Sequence, residues 1–141
     1  MPVGKLAVDA KTASPDTPIS EIAEIMAAAD IGDVIITEGD EPVGIVTDRD
    51  IVMKYAGGKA LDDLDAEDVM TPNPATIHED AADIELPRQL AEAGVRRLPV
   101  VDDDGMLVGI VTLDDLVATI GEEMKDVATV IEAQSPDYSP E

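Results

Sequence analysis

Apolar positions along the first half of the chain follow helical and then strand periodicities. Their order predicts a helix, a β-hairpin around a polar turn, and a second helix that stops at the glycine pair 57–58. Thr17 and Pro18 are suited to be the cap and the first residue of the first helix. The predicted elements are residues 19–29, 34–36, 43–47 and 48–55.

The second half of the chain repeats this order of patterns. Pro87 interrupts its first helix, but falls in the first turn if Asp83 is the cap, where a missing N–H has no helical partner to lose. The predicted elements are a helix around residue 90, strands over 98–101 and 106–112, a helix over 113–133 and a flexible tail over 134–141.

A repeated motif indicates that the two halves are a duplication. Val-Gly-Ile-Val-Thr occurs at 43–47 and again at 108–112, an offset of 65 residues. Each occurrence is followed three residues later by an aspartate, Asp50 or Asp115. Five identical consecutive residues with an aspartate in register do not arise by chance, and two units of this length exclude a solenoid.

The duplication also predicts the domain organisation. Residues 34–36 align with 99–101 at the same offset, which places the units at 1–66 and 67–133. One helix–hairpin–helix unit buries too little surface to fold well alone. We therefore expect the two units to pack sheet to sheet around a common core.

The composition excludes several functional classes. The 141 residues are 45% hydrophobic, which is enough for a core, and include no cysteine for a disulfide, a thiolate metal site or a nucleophile. No stretch is apolar enough to cross a membrane, and the N-terminus lacks the pattern of a signal peptide. We expect a soluble, cytoplasmic module.

Charge is the most unusual property of the composition. Thirty-two acidic residues against nine basic ones give a net charge of −23, spread over both halves. This charge repels phosphate, and two tyrosines form no stacking platform, so nucleic-acid binding is not expected. Carboxylates this dense repel one another unless salt screens them. We interpret the acidity as adaptation to a salt-rich, halophilic cytoplasm.

Three segments carry a resemblance to a known family. They are Asp-Val-Met-Thr-Pro at 68–72, Gly-Val-Arg-Arg-Leu-Pro-Val-Val-Asp at 94–102, and Gly-Ile-Val-Thr followed by an aspartate in both halves. Together they resemble the cystathionine-β-synthase (CBS) domain, and two copies resemble a CBS pair, or Bateman module. The first half departs from the pattern: 32–34 reads Gly-Asp-Val where 97–99 reads Arg-Leu-Pro, and 8–10 lacks Met-Thr-Pro.

The resemblance implies an α+β fold of two β-α-β-β-α units related by a pseudo-twofold axis. It also implies a regulatory module rather than an enzyme, with clefts for AMP, ADP, ATP or S-adenosylmethionine. Such pairs commonly form a homodimeric disk of four domains. Because the sequence shows no second domain for the ligand to control, we expect the signal to act on a separate protein or to pass through the protein's own oligomer.

The resemblance assigns roles to the duplicated motif. Asp50 and Asp115 occupy the family's ribose position, and Thr47 and Thr112 add hydroxyls at the same edge. A carboxylate can accept hydrogen bonds from both ribose hydroxyls. Alternatively, these residues only cap helices, for which their types are equally suited.

The remaining ligand contacts follow from motif position. Residues expected near the base are Ile31, Gly32, Ile45, Val95, Arg96, Ile110, Thr12, Thr76 and Ala81. The alternative for Ile45 and Ile110 is plain core. Candidates for phosphate are Arg49, Arg96 and Arg97, since guanidinium suits bidentate contact. Each could equally pair with a surface carboxylate, and for Arg97 that role is the one expected. The aspartates at 48 and 114 favour a cationic adenosyl ligand or a metal-bound nucleotide over a bare triphosphate.

Two other functions stay open. A structural scaffold with empty clefts would suit the weaker motif of the first half. A metal-dependent phosphohydrolase has only the number of carboxylates in its favour. His78, the single histidine, has no partner ligand in the sequence, so no metal site is expected.

Overall fold

A computed structural model describes residues 1–134, so the tail predicted over 135–141 lies outside the described residues. Residue 134, assigned to that tail, is instead the last residue of a helix. The elements are β1 (Thr12–Ala13), α1 (Ile19–Ala29), β2 (Asp33–Glu38), β3 (Glu41–Thr47), α2 (Asp48–Ala56), α3 (Ala66–Val69), β4 (Thr71–Pro72), β5 (Ile77–His78), α4 (Glu85–Ala93), β6 (Arg97–Val101), β7 (Leu107–Thr112) and α5 (Leu113–Gln134).

Two mixed sheets contain all seven strands. The first has the order β1-β2-β3-β4 and the second β5-β6-β7. In each sheet the first strand runs parallel to the second strand. The second strand then forms an antiparallel hairpin with the third. The α+β prediction of two β-α-β-β-α units is therefore confirmed. We call β1 to α2 the first unit and β5 to α5 the second unit.

The register of the hairpins corrects the alignment of the two units. Ile36 pairs with Gly44, and Val100 pairs with Gly109. Residues 34–36 therefore correspond to 98–100, an offset of 64, whereas the following strands keep the offset of 65. The prediction that 34–36 matches 99–101 is wrong, because eight residues separate Val100 from Gly109, whereas seven separate Ile36 from Gly44. The connection of the second hairpin, which we call the Asp-rich turn, spans residues 102–106.

The chain crosses between the units at both of their starts. Thr71 of β4 pairs with Ile45 in the first sheet, and Val8 pairs with Ile110 in the second. Val3 is fully buried in the core of the second unit, while residues 64–70 pack against the first. Each sheet is thus completed by a segment that precedes the other unit.

Each unit has its own apolar core between its sheet and its helices, so the single common core expected from the sequence is wrong. Alternation along the strands sends Val34 and Ile36 toward the helices, whereas Ile35, also fully buried, lies on the opposite face. The first core contains Ile19, Ile22, Met26, Val34, Ile36, Val46, Ile51, Ala66 and Val69. The second contains Val3, Ile77, Leu86, Leu90, Leu98, Val100, Val111 and Leu116.

Two predicted helix caps are wrong in detail. Thr17 does not cap α1, since its hydroxyl accepts the N–H of Ser14, and Pro18 is the residue before the first helical turn. Asp83 lies beside the N-terminal amino group at 3.7 Å instead of capping α4. Pro87 nevertheless lies in the first turn of α4, as predicted.

Candidate functional site

The first Thr–Asp pair lies where β3 ends and α2 begins. Thr47 Oγ1 accepts the N–H of Asp50 at 3.2 Å, and Asp50 Oδ2 accepts the N–H of Thr47 at 2.9 Å. This reciprocal capping box satisfies N–H groups that the first turn of a helix leaves unpaired. Both side chains are half-buried, so the capping alternative is realised while part of the carboxylate stays accessible.

The second Thr–Asp pair occupies the same place between β7 and α5, with a different hydrogen bond to the carboxylate. Thr112 Oγ1 again accepts the N–H of its aspartate at 3.2 Å. Its hydroxyl, rather than its N–H, donates to Asp115 Oδ2 at 2.9 Å. Both residues are half-buried.

A loop from the preceding helix joins each pair. The carbonyl of Gly32 accepts the N–H of Asp48 at 3.0 Å, and the carbonyl of Arg96 accepts the N–H of Leu113 at 2.8 Å. The structure therefore brings the predicted loop residues to the predicted pairs. We call Ile31, Gly32, Thr47 and Asp50 the first Thr–Asp site, and Val95, Arg96, Thr112 and Asp115 the second Thr–Asp site.

The strand residues predicted near the base lie in rows across the sheets. In the first sheet Thr12 pairs with Ile35, which pairs with Ile45. In the second sheet Ile110 pairs with Pro99, and Thr76 is the exposed residue before β5. These residues belong to the same sheets as the Thr–Asp sites but lie further from the helix starts.

Ala81 lies apart from both sites. Its carbonyl accepts the N–H of Val3 at 2.8 Å, and its side chain packs against the second core. The structure therefore gives Ala81 a role in anchoring the N-terminal segment.

The three candidate phosphate cations differ in what they contact. Arg97 forms an ion pair with Asp33 across the two units, with side chains only 30% and 16% exposed. Arg96 is 70% exposed and donates to Asp114 at 3.3 Å. Arg49 is exposed, and its backbone N–H donates to Asp48.

Two concavities lie outside the Thr–Asp pairs. One, of about 390 Å³, lies between the segment 9–12, the first hairpin and the start of β7, with Thr12 in its wall. The other, of about 370 Å³, lies against the exposed side of α4. Neither is lined by Asp50 or Asp115.

His78 does have partners, contrary to the sequence prediction. Its Nε2 lies 2.6 Å from Asp103 Oδ1, and its Nδ1 accepts the N–H of Asp80 at 3.0 Å. One ligand atom from each of these three residues lies within 4.8 Å of the others. Both ring nitrogens are already hydrogen-bonded, which connects β5 to the Asp-rich turn.

Sequence reasoning expected Arg97 to pair with a carboxylate but did not identify Asp33 as its partner. By the corrected register these two residues are equivalent, each being the first residue of its hairpin and pairing with the threonine of the motif. Equivalent positions related by a twofold axis meet when they lie near that axis. Their opposite charges, in a chain with few cations, were the available signal.

Comparison with known proteins identifies the family and finds ligand-bound structures of similar fold. Residues 4–57 and 66–122 each match the model of the CBS domain family. The uncharacterized protein MK0525 of Methanopyrus kandleri is 45% identical over 126 residues, which cover 83% of this chain and 64% of that protein. The chain thus spans less than two thirds of that relative's length.

Two solved structures of similar fold carry adenosyl compounds. The CBS domain pair of protein MJ0100, in complex with 5′-methylthioadenosine and S-adenosyl-L-methionine, has a TM-score of 0.77 and 30% identity, and covers 87% of this chain and 98% of its own. CBSX2 from Arabidopsis thaliana, in complex with AMP, has a TM-score of 0.73 and 25% identity over the same shares.

No helix among residues 1–134 combines the length and the apolar character required to span a membrane. The two matched segments cover most of the sequence, and each overlaps one of the two units of the structure. The chain belongs to the CBS domain family and carries its domains as a tandem pair.

Proposed function

We propose that this protein is a regulatory module that binds an adenosyl ligand at its Thr–Asp sites and signals to a separate protein. The observation that carries the proposal is the duplicated Thr-x-x-Asp motif, held in each unit beside a loop carbonyl at the start of a helix. The two carboxylates occupy equivalent positions, and both are half-buried.

The geometry of each carboxylate suits a ribose. Hydrogen bonds among the described residues use Oδ2 of Asp50 and Oδ2 of Asp115, and leave Oδ1 of each for a ligand. A fixed carboxylate that accepts from a ribose hydroxyl contributes roughly 1.5–3 kcal/mol to binding. Capping and binding are therefore compatible, because they use different oxygens.

The ligand class is supported by relatives and by the charge of the sites. The similar structure of MJ0100 contains 5′-methylthioadenosine and S-adenosyl-L-methionine, and that of CBSX2 contains AMP. A chain of net charge −23 with acids at both helix starts disfavours a bare triphosphate. We propose an adenosyl ligand of low negative charge, or a nucleotide bound to a metal ion.

Titration calorimetry of the full chain in about 1 M KCl tests the proposal. AMP, ATP with magnesium, 5′-methylthioadenosine and S-adenosylmethionine are the ligands. At least one should bind, and Asp115→Ala should weaken it ten- to a hundredfold, as expected from a hydrogen bond to a charged group. Asp50→Ala reports on the first site, and Asp126→Ala, an exposed acid on α5, is the matched control.

Failure of all four ligands to bind at millimolar concentration would contradict the proposal. It would favour the alternative of a scaffold with empty clefts, whose melting temperature no nucleotide changes. A ligand at 100 times its Kd raises the free energy of unfolding by about 2.7 kcal/mol, so thermal shift separates the two functions. Turnover of nucleotide that Asp50→Ala or Asp115→Ala abolishes would instead show an enzyme.

We further propose that the acidic surface adapts the protein to a salt-rich cytoplasm. The melting temperature should rise by several degrees between about 0.1 M and 2 M KCl, because screening weakens repulsion between carboxylates. Sucrose of matched osmolality is the non-ionic control. A melting temperature that follows sucrose and KCl equally would argue against charge screening.

A further inference from the structure

The ion pair between Asp33 and Arg97 connects side chains of the two units. Among residues 1–134, it is the only ion pair or side-chain hydrogen bond that joins the first unit to the second. The two side chains are largely covered, with 16% and 30% of their surface exposed. Arg97 is also the only one of the nine lysines and arginines that is not exposed. The one cation with restricted access to water is therefore already paired with a carboxylate.

Both partners of this ion pair lie directly beside the motif threonines. Asp33 is opposite Thr47 in the first hairpin, and Arg97 is opposite Thr112 in the second. Opposite residues of an antiparallel pair point to the same face, with their Cβ atoms about 4.5–5.5 Å apart. A ligand whose ribose is held at either Thr–Asp site therefore lies within about one side-chain length of the ion pair.

The ion pair lies in the layer between the two sheets. Asp33 is two residues before Ile35 in β2, and residues two apart in a strand point to the same face. Ile35 is fully buried on the face away from the helices. An ion pair in this layer faces both Thr–Asp sites, so its net charge acts on a ligand at either of them.

We propose that Asp33 sets the charge of the ligand that the Thr–Asp sites accept, by neutralising Arg97; this inference rests on the proposed function. A free guanidinium beside a ribose would attract a phosphate attached to that ribose. With Asp33 present, the ion pair carries no net charge and leaves the carboxylate of each Thr–Asp site uncompensated. Asp33 is therefore a specificity-determining residue. It disfavours phosphate and favours an adenosyl group whose substituent is neutral or cationic, such as a thioether or a sulfonium.

Calorimetry with three adenosyl ligands in about 1 M KCl tests this role. Asp33→Asn removes the negative charge but keeps a side-chain oxygen that can accept from Arg97. It should strengthen AMP binding roughly tenfold, leave 5′-methylthioadenosine unchanged and weaken S-adenosylmethionine a few-fold, because only the charge beside the ligand differs. Glu38→Gln is the matched control, since it removes the same charge from an exposed position about 16 Å away along β2.

The opposite variant removes the cation and keeps the acid. Arg97→Gln should weaken AMP binding roughly tenfold and strengthen S-adenosylmethionine binding. Asp33→Asn combined with Arg97→Gln should return both ligands to about the wild-type affinity, with circular dichroism showing that each variant is folded. A merely structural role would change all three ligands alike. Equal changes for the three ligands, or an effect of Glu38→Gln as large as that of Asp33→Asn, would overturn the proposal.

Inorganic phosphate separates this proposal from the proposed function. In about 0.1 M phosphate, compared with KCl of the same ionic strength, the melting temperature of Asp33→Asn should rise by about 1–2 °C and that of the wild-type protein should not. A shift in both proteins, or in neither, would overturn the proposal. If no adenosyl ligand binds but phosphate stabilises Asp33→Asn alone, the proposed function fails and the neutralisation of Arg97 by Asp33 stands.

Discussion

The two units share a backbone plan but differ in charge where their hairpins begin. The first unit has Gly32 and Asp33 at this place, and the second has Arg96 and Arg97 at the equivalent positions. The fold-forming part of the motif, Val-Gly-Ile-Val-Thr, is identical in both units. The motif at the end of each hairpin is therefore the same in the two units, whereas the residues that border the sites differ.

This difference gives the two Thr–Asp sites different electrostatic surroundings. At the first site the acid Asp48 lies against Gly32, whose missing Cβ would be 3.2 Å from its carboxylate. At the second site the half-buried Leu113 takes the place of Asp48, and Arg96 lies beside Asp114. We therefore expect a ligand that carries phosphate to bind the second site more tightly than the first.

The largest expected effect concerns the two equivalent motif glycines. A Cβ at Gly109 would lie 2.8 Å from the carbonyl oxygen of Val8, a backbone atom of the crossing segment. A Cβ at Gly44 would instead meet the flexible side chain of Met70. We expect Gly109→Ala to lower the free energy of unfolding by about 3 kcal/mol and Gly44→Ala by about 1 kcal/mol, because only a side chain can move aside.

Urea denaturation of both variants in high salt measures this difference. Combining Gly44→Ala with Met70→Ala should reduce the cost of the glycine substitution, since the neighbour that clashes is then shorter. Equal destabilisation by the two single substitutions would contradict this explanation. It would show that the backbone of Val8 beside Gly109 moves aside as easily as the side chain of Met70 beside Gly44.

The ion pair between the units has the next largest expected effect. The Asp33 side chain is only 16% exposed, so removing its partner leaves a carboxylate with little access to water. Arg97→Ala should therefore lower the free energy of unfolding by about 2 kcal/mol. Asp33→Ala with Arg97→Ala should cost less than the sum of the single changes.

A thermodynamic cycle of these four proteins gives the coupling energy between the two side chains. We expect about 1–2 kcal/mol, largely preserved in about 1 M KCl, because partly buried charges are screened less than exposed ones. Exchanging the residues, with Asp33→Arg and Arg97→Asp together, should restore part of the loss. Strict additivity would mean that the contact contributes nothing to holding the units together.

Much of the fold could be predicted because the same pattern of apolar and polar residues occurs in both halves of the chain. The hairpin over β2 and β3 and the helix at Asp48 follow from local patterns, and an aspartate in register three residues after each threonine locates the sites. The same repeat predicted that a loop in each unit would lie beside the start of the helix that follows the hairpin.

Three features depend on tertiary structure that no local pattern encodes. Val3 packs in the core of the second unit and Ala66 in the core of the first. The sequence does not show this, because both residues lie in short apolar segments that could pack against either unit. The one-residue shift between residues 34–36 and their equivalents in the second unit is not evident from the sequence, because β-branched residues recur at neighbouring positions of these strands. Threonine commonly caps helices, but the hydroxyl of Thr17 accepts the N–H of Ser14 instead of an N–H of α1.

The smallest expected effect separates the two sites by ligand charge. Arg96 is 70% exposed, so its contact with a phosphate contributes modestly, and Arg96→Ala should weaken AMP binding at the second site by no more than about tenfold. Binding of 5′-methylthioadenosine, which has no phosphate, should be unchanged. Arg88→Ala, which removes an exposed arginine of α4 outside both Thr–Asp sites, is the matched control.

Asp114 provides the opposite test of the same charge. It accepts a hydrogen bond from Arg96 at 3.3 Å and competes with a phosphate for the guanidinium. Asp114→Asn should therefore strengthen AMP binding a few-fold and leave 5′-methylthioadenosine unaffected, as measured by calorimetry on the same preparations. An equal loss of both ligands in Arg96→Ala would assign this arginine to the shape of its loop, whose carbonyl holds the first N–H of α5, rather than to recognition of an anion.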